Sequence, residues 1–166
     1  AIQKLKEIEQ RVANGGSPAF EDEQKILAQY TGWGGLSDAF DPNKSAWSNE
    51  YSQLKAALSE SEYEAARSST LTAFYTPATV IHPIYRALER FGVKGGKILE
   101  PSMGTGAFLA HGHFGSSDAK FYGVELDSIT GRISKQLYQK ANIQVTGYEN
   151  ALLPDNYFDC VIGNVP

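Results

Sequence analysis

The sequence holds one cysteine, one methionine and three histidines among 166 residues. A single thiol, Cys160, excludes an internal disulfide and a cysteine-built zinc cluster. Basic charge is also scarce: 15 Lys and Arg stand against 19 Asp and Glu, for a formal net charge of −4. Phosphate contacts need clustered cations, so this chain alone is not a strong binder of nucleic acid, and most of any grip on DNA must come from elsewhere. No apolar run approaches the roughly 18 residues of a membrane span. Residues 1–10 are charged and carry no signal-peptide core. These absences lead us to expect a cytoplasmic protein with no membrane contact. What is present is ordinary for a globular chain, 42% hydrophobic and 20% charged, with length for one domain and a helical appendage.

Ile2, Leu5, Ile8 and Val12 recur at helical spacing and predict a helix over residues 2–13, ended by Asn14-Gly15-Gly16. Ser17 followed by Pro18 offers a cap and first turn for a second helix reaching about Gln29. "YTGWGGL", 30–36, is too rich in glycine for a helix and reads as a tight corner with Trp33 filling an apolar gap. Residues 46–58 predict another helix. Ser59 and Glu62 have the spacing of a capping box that opens a further helix over 60–68. These elements make residues 1–73 a helical segment.

From Phe74 the pattern changes. Thr76 and Pro77 can start a helix whose apolar stripe runs to Phe91 before Gly92. Strands at 97–100, 121–126, 142–146 and 157–162 alternate with helices at 107–113 and 128–141. That alternation predicts an α/β fold, a parallel sheet with helices on its faces, over residues 74–166.

The first strand ends in "ILEPSMGTGAF", 98–108. Gly104 and Gly106 allow close approach of backbone to a ligand, and the free amides of the helix opened by Ala107 favour negative charge. This suits a dinucleotide pyrophosphate or the methionine carboxylate of S-adenosylmethionine. The dinucleotide fingerprint fails at its third glycine, where Leu109 stands. In "FYGVELD" the second strand supplies Glu125, with Asp127 on the same face if the strand continues; an acid there can accept both ribose hydroxyls of either cofactor.

The discriminating stretch is "FDCVIGNVP", an apolar strand ending in Gly163-Asn164-Val165-Pro166, which resembles the N-P-P-aromatic motif of amino-methyltransferases with Val165 in place of the first proline. An exocyclic amine on a base is a poor nucleophile because its lone pair is delocalised. Two acceptors, the Asn164 side-chain oxygen and the Val165 carbonyl, would draw its hydrogens and stabilise the charge that develops in the transition state, while Pro166 fixes the turn. Metal chemistry finds no support: His111 and His113 stand two apart, and His82 has no acid or cysteine at ligand spacing.

Taken in order, these stretches resemble the gamma-type N6-adenine DNA methyltransferases, and most closely the methylase part of methylase–helicase fusion proteins of phages, plasmids and conjugative elements. "FYTP" resembles the motif before the glycine loop, "ILEPSMGTGAFL" motif I with Glu100 where many relatives have Asp, "GVELD" motif II, and "GNVP" motif IV with Val165 for the first proline. "YTGWGGL" and "GVELDSITGRI" match the fusion group. The resemblance implies a Rossmann-like S-adenosylmethionine-dependent methyltransferase fold, strand order 3-2-1-4, and S-adenosylmethionine as cofactor. It implies cofactor contacts from Tyr75, Thr76, Pro77, Glu100, Pro101, Gly104, Gly106, Glu125 and Leu126, with Glu149 in "VTGYENA" nearest the motif III acid. It implies catalysis through Asn164, Val165 and Pro166 on adenine in DNA, within a longer protein that includes a helicase and serves restriction–modification. On that reading the fourth strand lies at an edge, the chain pairs through it or belongs to a longer protein, and it is inactive alone. Methylation of RNA or of a protein glutamine, a regulatory module without turnover, and an NAD-binding domain are the competing readings.

Overall fold

The computed structural model describes residues 1–112 and 119–165. The helical segment comprises α1 (Ile2–Ala13), α2 (Glu21–Leu27), α3 (Ser48–Ala57) and α4 (Glu60–Ser69), with 3-10 turns at Ser37–Phe40 and Ser45–Trp47. Then follow α5 (Ala78–Arg90), β1 (Gly96–Glu100), α6 (Ala107–His111), β2 (Ala119–Glu125), α7 (Ser128–Leu137), β3 (Asn142–Val145), a 3-10 turn at Tyr148–Asn150, and β4 (Cys160–Val161). The strands form one sheet in the order β3-β2-β1-β4, all pairs parallel. This is the expected Rossmann-like α/β arrangement, with β4 at an edge. Among the described residues no helix is long and apolar enough to cross a membrane.

Two apolar clusters hold the sheet between them. On one side Ile81 and Tyr85 of α5 and Phe108 of α6 pack with Ile98 and Ile162. On the other, Ile129 and Ile133 of α7 are buried together with Leu5, Ile8, Leu27, Trp33, Phe40 and Tyr63 of the helical segment. Gly131 lets α7 lie close on the sheet, since a Cβ there would stand 2.8 Å from Val145 Cγ2.

Several boundaries differ from the sequence expectation, each for a local reason. Ser17 and Pro18 do not open α2, because Arg11 takes their carbonyls at 3.0 and 3.1 Å. Phe20 is the cap residue instead, its amide donating to Glu23 at 3.0 Å. Pro77 occupies the cap position of α5, its carbonyl accepting the Val80 and Ile81 amides, so Thr76 lies one residue outside. β2 stops at Glu125, because Asp127 turns to cap α7 through the Thr130 amide at 2.7 Å; Glu125 and Asp127 therefore do not share a strand face. α7 stops at Leu137, not Ala141. β4 is two residues long, because Tyr157 and Phe158 turn to pack on Tyr122. The capping box forms as expected, Ser59 N to Glu62 at 2.8 Å and Glu62 N to Ser59 Oγ at 3.3 Å.

Arg132 of α7 ties the two parts by charge. It pairs with Glu9 of α1 and with Glu62 of α4, the latter at 2.5 Å. Burial works against ionisation of Glu62, but Arg132, the Ser59 amide and Lys6 outweigh it and hold its pKa at about 2. Arg132→Leu leaves two carboxylates without their shared partner. With a quarter of the Arg132 side chain exposed, the cost should be about 2 kcal/mol, below that of a fully buried pair. Stability owed to Glu62 is full above its unfolded pKa and lost as pH falls toward 2. Thermal melting at pH 7 should therefore drop by several degrees and the acid side of the stability profile should flatten. A melting temperature equal to wild type would show the network to be a spectator.

Candidate functional site

Because β1, β2 and β4 run parallel, their carboxyl ends reach one edge of the sheet, where ligands bind in open α/β folds. There the chain after Glu100 turns back, held to β2 by the Met103 amide on the Val124 carbonyl at 3.0 Å. Gly104 adopts φ +54°, its amide donates to Glu125 Oε2 at 2.7 Å, and its carbonyl accepts Ser134 Oγ at 3.0 Å. Tyr138 Oη reaches the Thr105 carbonyl at 3.1 Å. The glycine turn is thus moored to β2 and to α7.

Two acids of different character flank this turn. Glu125 accepts the Asp127 amide at 2.7 Å as well as that of Gly104. Burial raises its pKa, and those amides oppose the rise. Glu100 is 3% exposed and its Oε2 has no hydrogen-bond partner. Burial first, and the Glu125 charge second, push its pKa up to about 9, so it holds its proton at neutral pH. A buried polar atom without a partner is costly unless something else satisfies it. Asp127, also buried, is spent on structure: it caps α7 and accepts Trp33 Nε1 at 3.3 Å.

The structure brings Tyr75, Pro101, Gly104, Glu125, Leu126, Glu149 and Asn164 around one cleft of about 290 Å³. Thr76 and Glu100 line a small recess beside it, which Asn164, Tyr75 and Gly104 also border. Pro77 and Val165 are not in these walls, and both are exposed. Pro166 lies outside the described residues. Gly106 does not present bare backbone to the cleft. A Cβ there would stand 2.3 Å from Tyr138 Cε2, and its φ is +79°, so packing and turn geometry require the glycine. Gly104 is the position whose missing side chain faces the cleft, where a Cβ would lie 3.6 Å from Tyr75 Cε1. A larger groove of about 1,020 Å³ lies in the helical segment beside Tyr30, Trp33 and Trp47. Its walls include part of "YTGWGGL" but none of the predicted cofactor-binding or catalytic residues.

Three features escaped the sequence reading. Trp33 fills an apolar corner as expected, edge-on to Tyr30 and Phe40, but the glycines beside it serve Tyr75. A Cβ on Gly32 would stand 1.4 Å from Tyr75 Oη, and one on Gly34 would stand 2.3 Å from the Ala73 carbonyl oxygen and 3.2 Å from Tyr75 Cε2. Ser134 of α7 and Tyr138 just past its end moor the turn, a role that nothing in the local sequence shows. His82 and His111 meet edge to face at 5.4 Å, a pairing across two helices that spacing along the chain cannot reveal. Among the described residues no three metal-ligating side chains gather; His113 lies outside them.

An open parallel α/β sheet with a glycine turn, a β2 acid and an asparagine at its carboxyl edge defines the class of this fold and site. No family model matches the chain. It is 28% identical over 153 residues to the "Defense against restriction protein B" of Escherichia phage P1, covering 91% of this chain and 5% of that protein. It is 33% identical over 94 residues to the modification methylase CviBIII of Paramecium bursaria Chlorella virus NC1A, covering 56% of this chain and 25% of that one. The chain therefore spans a quarter or less of the length of these relatives. Among solved structures, an RNA methyltransferase from Salinibacter ruber in complex with S-adenosyl-L-homocysteine matches with TM-score 0.42 and 15% identity, over 54% of this chain and 60% of that one.

Proposed function

We propose that this chain is the S-adenosylmethionine-binding part of a DNA adenine-N6 methyltransferase, carried in a longer protein that also holds a helicase. The observation that carries the reading is that Asn164 opens onto the same cleft as Gly104 and Glu125. The similarity to a viral modification methylase and to a much longer phage protein supports it.

The residues present fit the cofactor. The partnerless oxygen of Glu100 suits an ammonium, and the Glu125 carboxylate suits a ribose diol. Gly104 leaves backbone bare, and Leu126 and Tyr148, both exposed, offer apolar surface to an adenine ring, with Glu149 beside them. Pro101, Tyr75 and Thr76 would line the rest of the site. The bound cofactor supplies an electrophilic methyl group on a sulfonium. The chain's part is to orient the acceptor. The Asn164 side-chain oxygen and the Val165 carbonyl accept the hydrogens of the target amine and favour its developing charge. The target base has to leave its duplex to reach them.

Calorimetry is expected to show binding of S-adenosylmethionine and S-adenosylhomocysteine but not of NAD. Glu125→Ala should weaken that binding roughly 10- to 100-fold, the worth of hydrogen bonds to a charged group. Binding of NAD in preference, or an affinity untouched by Glu125→Ala, would overturn the assignment.

A further inference from the structure

We propose that Gly32, Trp33 and Gly34 of the helical segment are positioning residues of the cofactor cleft, holding the Tyr75 ring as part of its wall. The inference rests on the cofactor reading above. Tyr75 enters the cleft on the strand-like stretch before α5, borders both the main cavity and the Glu100 recess, and is 39% exposed. Little in its own surroundings fixes it: Phe74 beside it is 76% exposed. Its ring instead lies in a hollow made by the absence of two side chains. Gly32, at φ +84°, leaves the space its hydroxyl fills, and Gly34 leaves the space along its edge. Burial raises the Tyr75 pKa, and the Trp33 and Gly34 backbones near the hydroxyl oppose that rise. The hollow itself is anchored. Trp33 is 4% exposed, and its indole N–H reaches Asp127, whose own amide is held by Glu125. One short loop therefore connects the wall at Tyr75 with the acid at Glu125, both of which line the cleft.

Gly35 provides an internal control. It has the same left-handed backbone, φ +76°, but a Cβ there meets nothing within 4 Å. Alanine at either position carries the backbone cost, while only Gly32→Ala evicts Tyr75. We expect Gly35→Ala to lower the melting temperature and leave the affinity for S-adenosylhomocysteine unchanged. Gly32→Ala should lower melting comparably and weaken affinity at least tenfold. In a Tyr75→Ala background, Gly32→Ala should cost no further affinity, because the ring it displaces is gone. Tyr75→Phe, which keeps the ring and removes the hydroxyl that fills the Gly32 hollow, should weaken binding a few-fold and guards against a Gly32→Ala variant that does not fold. Additive losses in the double variant, or a Gly32→Ala affinity equal to wild type, would sink the role of the loop while leaving the cofactor reading intact. A wild-type chain that fails to bind S-adenosylhomocysteine would sink both.

Discussion

Glu100→Gln is expected to stabilise the chain at neutral pH and to cost it the cofactor. The wild-type carboxyl is buried without a partner for Oε2 and holds its proton until about pH 9. In the unfolded chain it ionises near the ordinary glutamate value, about 4.3. Between those values the folded state binds more protons than the unfolded one, so stability falls as pH rises through the window. At pH 7 the accumulated cost is on the order of 4 kcal/mol. Glutamine has nearly the same shape and no proton to lose, so this slope should vanish. Melting curves from pH 4 to 9 should show the two chains alike at the acid end and the variant more stable by several degrees above pH 7. The same variant should bind S-adenosylmethionine at least tenfold more weakly, since an arriving ammonium favours release of the Glu100 proton and pairs with the carboxylate that results, a charge the glutamine amide cannot form. Parallel pH profiles would show that Glu100 does not titrate as its burial dictates. Stability gained with binding lost is the usual mark of a group kept for its work.

The second large effect concerns Asn164. It is exposed at the cleft mouth, two residues beyond buried Ile162. Asn164→Ala changes little packing, so melting and cofactor affinity should stay near wild type. On the proposed reading, methyl transfer to adenine-containing DNA by a protein that includes this chain, measured with labelled cofactor, should fall by a factor of roughly 10²–10³, the worth of one transition-state hydrogen-bonding group. Asn164→Asp retains an acceptor and should recover part of the loss. Undiminished transfer by the alanine variant would place the chemistry elsewhere.

How far these residues could be found from sequence follows from the range of the interactions. The parallel sheet, the capping box of α4 and the packing of Trp33 were all legible, because alternation of strands and helices, the Ser59–Glu62 spacing and burial of tryptophan are local or statistical facts, while the strand order came from the family resemblance. Glu125, Gly104 and Asn164 were legible because each terminates or follows a strand, and parallel strands deliver such ends to one edge. Ser17-Pro18 misled, because the carbonyls that would have started a helix are taken by Arg11. Gly106 misled because nothing nearby in sequence reveals Tyr138 above it, 32 residues on. The hollow for Tyr75 is the extreme case: a glycine pair is required by a ring more than 40 positions away. Spacing can show that a glycine is unusual, but only the folded chain shows what fills its place.

The cluster that buries Ile129 and Ile133 among α1–α4 has a historical consequence. The outward side of α7 is apolar and matched to one particular set of neighbours, so residues 1–73 are no detachable ornament on a self-sufficient sheet. Exchange between lineages at the junction near residue 73 would leave Leu5, Ile8, Ile129 and Ile133 facing strangers or water. Descent should therefore transmit the two stretches together, and substitutions on α7 should be answered by substitutions in α1, α2 or α4. Sequence comparison among relatives can look for that paired drift without reference to any activity.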